Sequence, residues 1–227
     1  MSAAGAPMLE LADVRDARGG RFTLRLLPGE LALIHIDDPA LLVGFTELCL
    51  GLSPPAAGIV TAFGQDWARL SPEIARSLRG RIGLVSLQGG WAPHLSVAES
   101  VVIAGLQHRQ APLEELMDRA AELCRRFGLP GLPLERPDAL GRTELARAAC
   151  ARAFLNKPDL LILESPLHGN TIPELRLPLL EALAMAQPAA CLWLTTSNSI
   201  WNDRAMPAGQ RLRLGAGGLD SFRRVAA

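Results

Sequence analysis

The sequence predicts a mixed α/β fold: a mostly parallel, covered core sheet, antiparallel strands towards the N-terminus and an inserted α-helical lobe. Three observations carry this expectation. Short, largely apolar runs at Leu31–Ile36, Ile82–Val85, Leu160–Leu163 and Cys191–Thr195 read as strands buried on both faces. Helical patterns alternate with them, the order that builds a parallel sheet. From about residue 95 to 156 the strand signals stop and the pattern turns helical.

Each element follows from local chemistry. Met8–Leu11 and Phe22–Leu26 read as strands separated by the turn Arg18-Gly19-Gly20, and Pro28-Gly29-Glu30 turns the chain into the strand at Leu31. Leu41, Leu42, Phe45, Leu48 and Cys49 suit an amphipathic helix, with Asp38 as the expected N-cap and Pro39 at the first helical position. A turn over Pro54–Gly58 leads to a strand at Ile59–Phe63, and Ser71-Pro72-Glu73 is a helix start. Ser96 and Glu99 stand at capping-box spacing ahead of Val101, Val102 and Leu106. Leu113, Leu116, Met117, Ala120, Leu123, Cys124 and Phe127 form one apolar face, with Glu114, Glu115, Asp118, Arg119, Arg125 and Arg126 on the other. The Gly/Pro-rich stretch Gly128–Pro137 precedes a helix over Thr143–Asn156. Strands at Leu160–Leu163, Cys191–Thr195 and Arg211–Leu214 follow, with a helix over Pro173–Met185 between the first two. One domain is expected, with a core lobe over 1–87 and 157–227 and a helical lobe over 88–156.

Composition narrows the function classes. With 227 residues, 49% hydrophobic and 20% charged, the chain can bury a real core and is not disordered. Its 23 basic side chains balance 23 acidic ones, so no global field points to nucleic acid or an anionic membrane. Cys49, Cys124, Cys150 and Cys191 form no CxxC pair and no metal-ligand pattern, and are expected to be buried in a reducing compartment. Without a signal peptide or an apolar stretch of about 18 residues, the expected location is the cytoplasm, at the inner face of a membrane only through a partner.

Residues Leu31–Val60 have the frame of a phosphate-binding strand, loop and helix without the residues that bind phosphate. Such a loop needs glycines whose N–H groups cradle phosphate oxygens, a lysine for the β and γ charges and a Ser/Thr hydroxyl for Mg²⁺. Those places hold Ile36, Pro39, Leu41, Leu42, Val43 and Gly44. Asp37 and Asp38 put the chain's own anions where a triphosphate needs a positively polarised helix terminus. Each charge-assisted hydrogen bond lost is worth about 1.5–3 kcal/mol, so several losses weaken binding by roughly 10³-fold or more.

Other segments carry a resemblance. The run from Ala151 through Asn156-Lys157-Pro158-Asp159 and Leu160-Leu161-Ile162-Leu163-Glu164-Ser165-Pro166 is similar to the helix after the signature sequence, the Walker B strand and its following proline in ABC transporter ATP-binding subunits. Pro93–Glu99 resembles the segment after their Q-loop, and Gly51-Leu52, Pro54-Pro55 and Gly58 match the end of their P-loop helix. The co-linear likeness covers essentially the full chain. It implies the P-loop NTPase-like ABC ATPase fold, ATP with Mg²⁺ as the family's ligands, head-to-tail pairing of two subunits, and work beside a membrane permease. Among the family's branches the chain looks closest to lipid-transport subunits of the Mla type.

The family's catalytic positions then fail one after another. Arg18 stands where an aromatic ring stacks on adenine, and reads as a solvated turn residue or a stacking guanidinium. The Q-loop glutamine position falls on Leu87, with Gln88 one residue late. The signature position reads Leu140-Gly141-Arg142-Thr143-Glu144, bulky side chains in place of a backbone nest. Walker B ends in Glu164-Ser165 where the family has Asp-Glu. Glu164 reads as a metal-reaching carboxylate or a capped strand end, and Ser165 is expected to contribute a hydrogen bond but no general base. The D-loop aspartate falls on Thr171 and the switch histidine on Thr196, while His94, His108 and His168 stand elsewhere. His35 is expected to be a satisfied core histidine. Trp91, after Gly89-Gly90, is either an exposed interface anchor or a ring folded back onto its own domain.

Taken together, these positions imply a catalytically inactive ABC ATPase-like subunit, with no bound cofactor or metal. It would act by protein contacts beside a permease or an active ATPase, through Leu87, Gln88, Trp91, Pro93 and His94. The alternative is a divergent subunit that still binds and hydrolyses ATP.

Overall fold

A computed structural model describes residues 6–87, 89–167 and 173–221. In chain order the strands are β1 (Leu9–Arg15), β2 (Arg21–Leu26), β3 (Leu31–Ile36), β4 (Ala57–Ala62), β5 (Gln65–Asp66), β6 (Ile82–Val85), β7 (Leu160–Glu164), β8 (Ala190–Thr195), β9 (Gln210–Gly215) and β10 (Gly218–Ser221). The helices are α1 (Ala40–Cys49), α2 (Pro72–Arg79), α3 (Val97–Gln107), α4 (Leu113–Arg126), α5 (Arg142–Phe154), α6 (Arg176–Met185) and α7 (Asn198–Asn202). They fall into two compact units, Met1–Arg79 with Pro188–Ala227, and Gly80–Gln187.

In the first unit the strands run in the order β5-β4-β1-β2-β10-β9-β3-β8. β3 lies parallel to β8 on one side and β9 on the other, and β1 lies antiparallel to β2 and β4. Every residue of β3 and β8 is buried, which is why both read as near-continuous apolar runs. β2 has one wet face and alternates instead, Arg-Phe-Thr-Leu-Arg-Leu. A bulge between Leu11 and Val14, with Asp13 at φ 49°, shifts the register of β1.

α1 buries Leu42, Phe45, Leu48 and Cys49, and the Phe45 ring stacks on Phe22 with centroids 5.8 Å apart. Its C-terminal end is closed by the unit's own donors. Trp67 Nε1 donates to the Cys49 carbonyl at 3.2 Å, and Arg79 donates from Nε and Nη2 to the Leu50 and Gly51 carbonyls at 2.9 and 2.8 Å. The Arg79 guanidinium also lies 5.2 Å from the Trp67 ring centroid. A cation is favourable here because the last carbonyls of a helix lack intrahelical partners and carry its negative end.

In the second unit β6 and β7 pair in parallel from Ile82↔Leu160 to Val85↔Leu163. α5 approaches β6 so closely that a Cβ at Gly83 would stand 2.2 Å from the Ala153 carbonyl oxygen. α4 turns Leu116, Ala120 and Cys124 inward, the face its sequence periodicity marks. The expected capping box opens α3: Ser96 N–H donates to Glu99 Oε2 at 2.7 Å, and Glu99 N–H donates to Ser96 Oγ at 3.1 Å.

The four cysteines are free and buried as expected. Burial pushes the thiol of Cys124 up to about 11 and that of Cys150 to about 12, with Cys49 and Cys191 also raised. No helix among the described residues is long and apolar enough to cross a membrane. The structure also adds β5, β10 and α7, two to five residues each, too short to show a period in sequence. The helix expected over Thr143–Asn156 runs over Arg142–Phe154 instead.

Two predictions follow from these contacts. Gly51 sits at φ 62°, and a Cβ there would lie 2.4 Å from Trp67 Cγ. A left-handed L-residue costs about 1–2 kcal/mol and overpacking about 1–3 kcal/mol. Gly51→Ala is therefore expected to lower unfolding free energy by roughly 2–5 kcal/mol in urea denaturation. At the capping box, the Ser96 N–H first and its hydroxyl second hold the Glu99 carboxyl below its ordinary value. A depressed pKa adds stability above the unfolded-state value and loses it as pH falls through the folded one. Glu99→Gln should therefore flatten the acid limb of the stability–pH curve and leave its shape above pH 6 unchanged to within roughly the scatter of denaturation data.

Candidate functional site

The singled-out residues are distributed over both units. In the first, β3 delivers His35 and Ile36 to the head of α1, and both are buried. Asp37, Asp38, Pro39 and Ala40 follow and are exposed. Asp38 Oδ1 accepts from the Ala40 N–H at 2.9 Å, and the Asp38 carbonyl accepts from the Leu41 N–H at 2.9 Å. The regular helix begins at Ala40, one residue later than expected, with Pro39 as the boundary residue at φ −53° and ψ −25°. These are helical angles, so Asp38 still caps the N2-type amide and Pro39 still spends no N–H.

Leu42, at the place the resemblance gives to the lysine, is fully buried, while Val43 is 44% exposed. Leu41 is half-buried, and at Gly44 a Cβ would meet nothing within 4 Å. These residues do not fit a triphosphate: a carboxylate holds the first helix amide, and the lysine's place has turned into the core.

His35 corrects its expectation in part. Its Nδ1 meets Asp37 Oδ1 at 3.1 Å and its ring stands edge-on to Trp201, with centroids 5.9 Å apart. Its Nε2 is buried without a hydrogen-bond partner among the described residues. At the end of β8, Thr195 Oγ1 accepts from the Ser197 N–H at 3.1 Å, and Ser197 caps α7. Thr196 is half-buried between them and begins no site of its own. Arg18 is exposed in the turn, its N–H donating to Asp16 Oδ1 at 2.9 Å.

In the second unit, Glu164 ends β7 with only 5% of its surface exposed, and its Oε2 accepts from the Leu87 N–H at 2.9 Å. Ser165 departs from expectation: its Oγ is buried with no hydrogen-bond partner among the described residues, and its backbone sits at φ 43°.

At α5, Leu140 and Gly141 lead into the helix, and Glu144 Oε2 accepts from the Gly141 N–H at 2.8 Å. Only this half of a capping box forms, since glycine has no side chain to return the bond. Arg142 is exposed and Thr143 half-buried. Among the described residues no group of three or more His, Cys, Asp or Glu is placed to hold a metal ion.

Of the residues expected to bind a partner, Leu87 is half-buried, and Pro93 and His94 are exposed. Trp91 is half-buried and folded back: the Arg152 guanidinium lies 4.3 Å from its ring centroid. Gln88, His168 and Thr171 lie outside the described residues. Arg152 itself was missed in sequence. Its signal was a long cation within the alanine-rich run Ala148-Ala149-Cys150-Ala151-Arg152-Ala153, where every neighbour is buried.

Comparison with known proteins places this geometry in context. Residues 45–168 match the family described as ABC transporter. The chain is 31% identical over 172 residues to the lipoprotein-releasing system ATP-binding protein LolD 1 of Rhodospirillum rubrum, covering 70% of this chain and 74% of that protein. It is 31% identical over 121 residues to the spermidine/putrescine import ATP-binding protein PotA of Thermobifida fusca, where the match spans 53% of this chain and 30% of the relative. In fold it is similar to the dimeric bacterial ABC transporter cassette MJ0796, with a TM-score of 0.82 at 20% identity, covering 95% of this chain and 99% of the other.

The helix-head carboxylate gives a direct test. Asp38→Ala is expected to cost about 1 kcal/mol of stability, with Asp38→Asn retaining most of it, both read from urea denaturation midpoints.

Proposed function

We propose that this chain, which belongs to the ABC transporter ATP-binding family, serves a membrane transport complex as a subunit that no longer performs ATP chemistry and acts through protein contacts. The observation that carries this reading is the Asp38 carboxylate on the Ala40 amide, at the helix head where the family would place phosphate. A bound triphosphate would have to displace that carboxylate and face Asp37 beside it, with no lysine or hydroxyl to offset the repulsion. Supporting it are Leu42 packed into the core, Glu144 on the Gly141 amide, Glu164 committed to the Leu87 amide, and Ser165 where a general base is needed.

The partner is a membrane permease, alone or with an active ATPase. The surface offered to it is the segment with Leu87, Trp91, Pro93 and His94, at the cytoplasmic face of the membrane. For the cargo class we favour lipid transport, of the Mla type or a relative of it. The lipoprotein-releasing LolD 1 protein is matched over most of its length, whereas the polyamine protein is matched over less than a third.

Titration calorimetry with Mg·ATP and a phosphate-release assay test the proposal. No saturable binding is expected up to about 1 mM, the −4.1 kcal/mol level, and no release above background. Micromolar affinity or Mg²⁺-dependent hydrolysis would establish the divergent active subunit in its place.

A further inference from the structure

Building on the reading that Leu87, Trp91, Pro93 and His94 offer a docking surface, we infer that Glu164 and Arg152 are positioning residues that hold Leu87 and Gly89–Trp91 in place without nucleotide. The lock lies wholly within the second unit. At its start, the Leu87 N–H is held at 2.9 Å by Glu164, a buried carboxylate fixed at the last position of β7. A carboxylate acceptor shortens and strengthens such a bond, and low solvent access preserves it.

Past residue 88, the Gly89 N–H donates to the Ser86 carbonyl at 3.0 Å. Arg152 of α5 then takes the next two carbonyls: Nη2 donates to Gly89 O, and Nη1 donates to Gly90 O at 3.2 Å. The same guanidinium covers the Trp91 ring at 4.3 Å. One side chain thus fixes two successive peptides and the aromatic after them, which a planar fork can do and a point charge cannot.

The backbone is built for this grip. Gly89 and Gly90 stand at φ 75° and 60°, and a Cβ at Gly89 would lie 2.6 Å from Trp91 Cδ1. The ring occupies space that only glycine leaves. At the exit, the Leu95 N–H donates to the Ala92 carbonyl at 3.2 Å, and the Ser96–Glu99 box ties the chain into α3. Pro93 and His94 are left exposed between these anchors. Nothing in this chain of contacts calls for a phosphate or a metal, since both charged groups belong to the protein.

Amide hydrogen exchange on the full chain tests the inference. Removing a charge-assisted bond corresponds to at least tenfold in the local opening equilibrium. Glu164→Ala is therefore expected to speed exchange at Leu87 at least tenfold. Glu164→Gln, which keeps an acceptor oxygen, should restore most of the protection. Arg152→Ala should speed exchange at Gly89, whose N–H is bonded to Ser86 within this stretch, by a similar factor, with α3 and α4 unchanged. Mg·ATP added to the wild-type chain should alter none of these rates.

Unchanged exchange in both alanine variants overturns the inference, as does a glutamine variant that behaves like alanine, or protection of the segment by Mg·ATP. If Glu164→Ala loosens the whole unit, Arg152→Ala decides alone. ATP binding that leaves these rates unchanged overturns the functional proposal but not the lock, whereas unaltered variants in a chain that binds no ATP overturn only the lock.

Discussion

A backbone N–H without a partner is a site waiting for an anion, and this chain fills such sites with its own carboxylates. Asp38 takes the Ala40 amide at the head of α1, Glu99 the Ser96 amide before α3, Glu144 the Gly141 amide before α5, and Glu164 the Leu87 amide beyond β6. Buried or helix-terminal donors have to be paired for the fold to stand. Phosphate oxygens can do this, and so can a side chain a few residues away. Once the side chain does it, the donor is no longer offered to a ligand.

The exchange changes the thermodynamics as well as the chemistry. A ligand that caps a helix stabilises it in proportion to its occupancy, so the fold is linked to ligand concentration. A covalently attached cap is present at every concentration and loses no translational freedom on forming the bond. α1 shows the consequence at both ends. Its head is capped by Asp38, and its last carbonyls by Trp67 and Arg79, with the side chain at the lysine's place buried as Leu42. The helix dipole is met by opposite charge from within the unit.

Local patterns were legible in the sequence, and distant grips were not. Leu31–Ile36 matches its strand because a strand buried on both faces leaves an unbroken apolar run. The Ser96–Glu99 box was readable because both partners lie within one turn. Arg79 reaches carbonyls 28 and 29 residues back, and Arg152 reaches carbonyls 62 and 63 residues back. No periodicity encodes such contacts. The orphaned Nε2 of His35 and the unpartnered Oγ of Ser165 were unreadable for the same reason, since satisfaction of a buried polar atom depends on tertiary neighbours. At the candidate site the residue types were plain from the outset. What the structure added was their direction: Leu42 inward, Asp38 onto its own helix, Glu164 onto Leu87.

The core and the nucleotide positions answer to different physical demands. The buried strands are held by apolar area and ladder hydrogen bonds, neither of which uses a phosphate or a cation. Residues at these positions can vary provided every donor they leave finds another acceptor, as Asp38, Glu144 and Glu164 provide without disturbing β3, β6 or β7. A donor left bare would cost about 1–3 kcal/mol, a large fraction of the margin by which a domain is folded. Each of these carboxylates therefore holds a donor whose pairing the fold needs, as Glu164 does for the Leu87 amide.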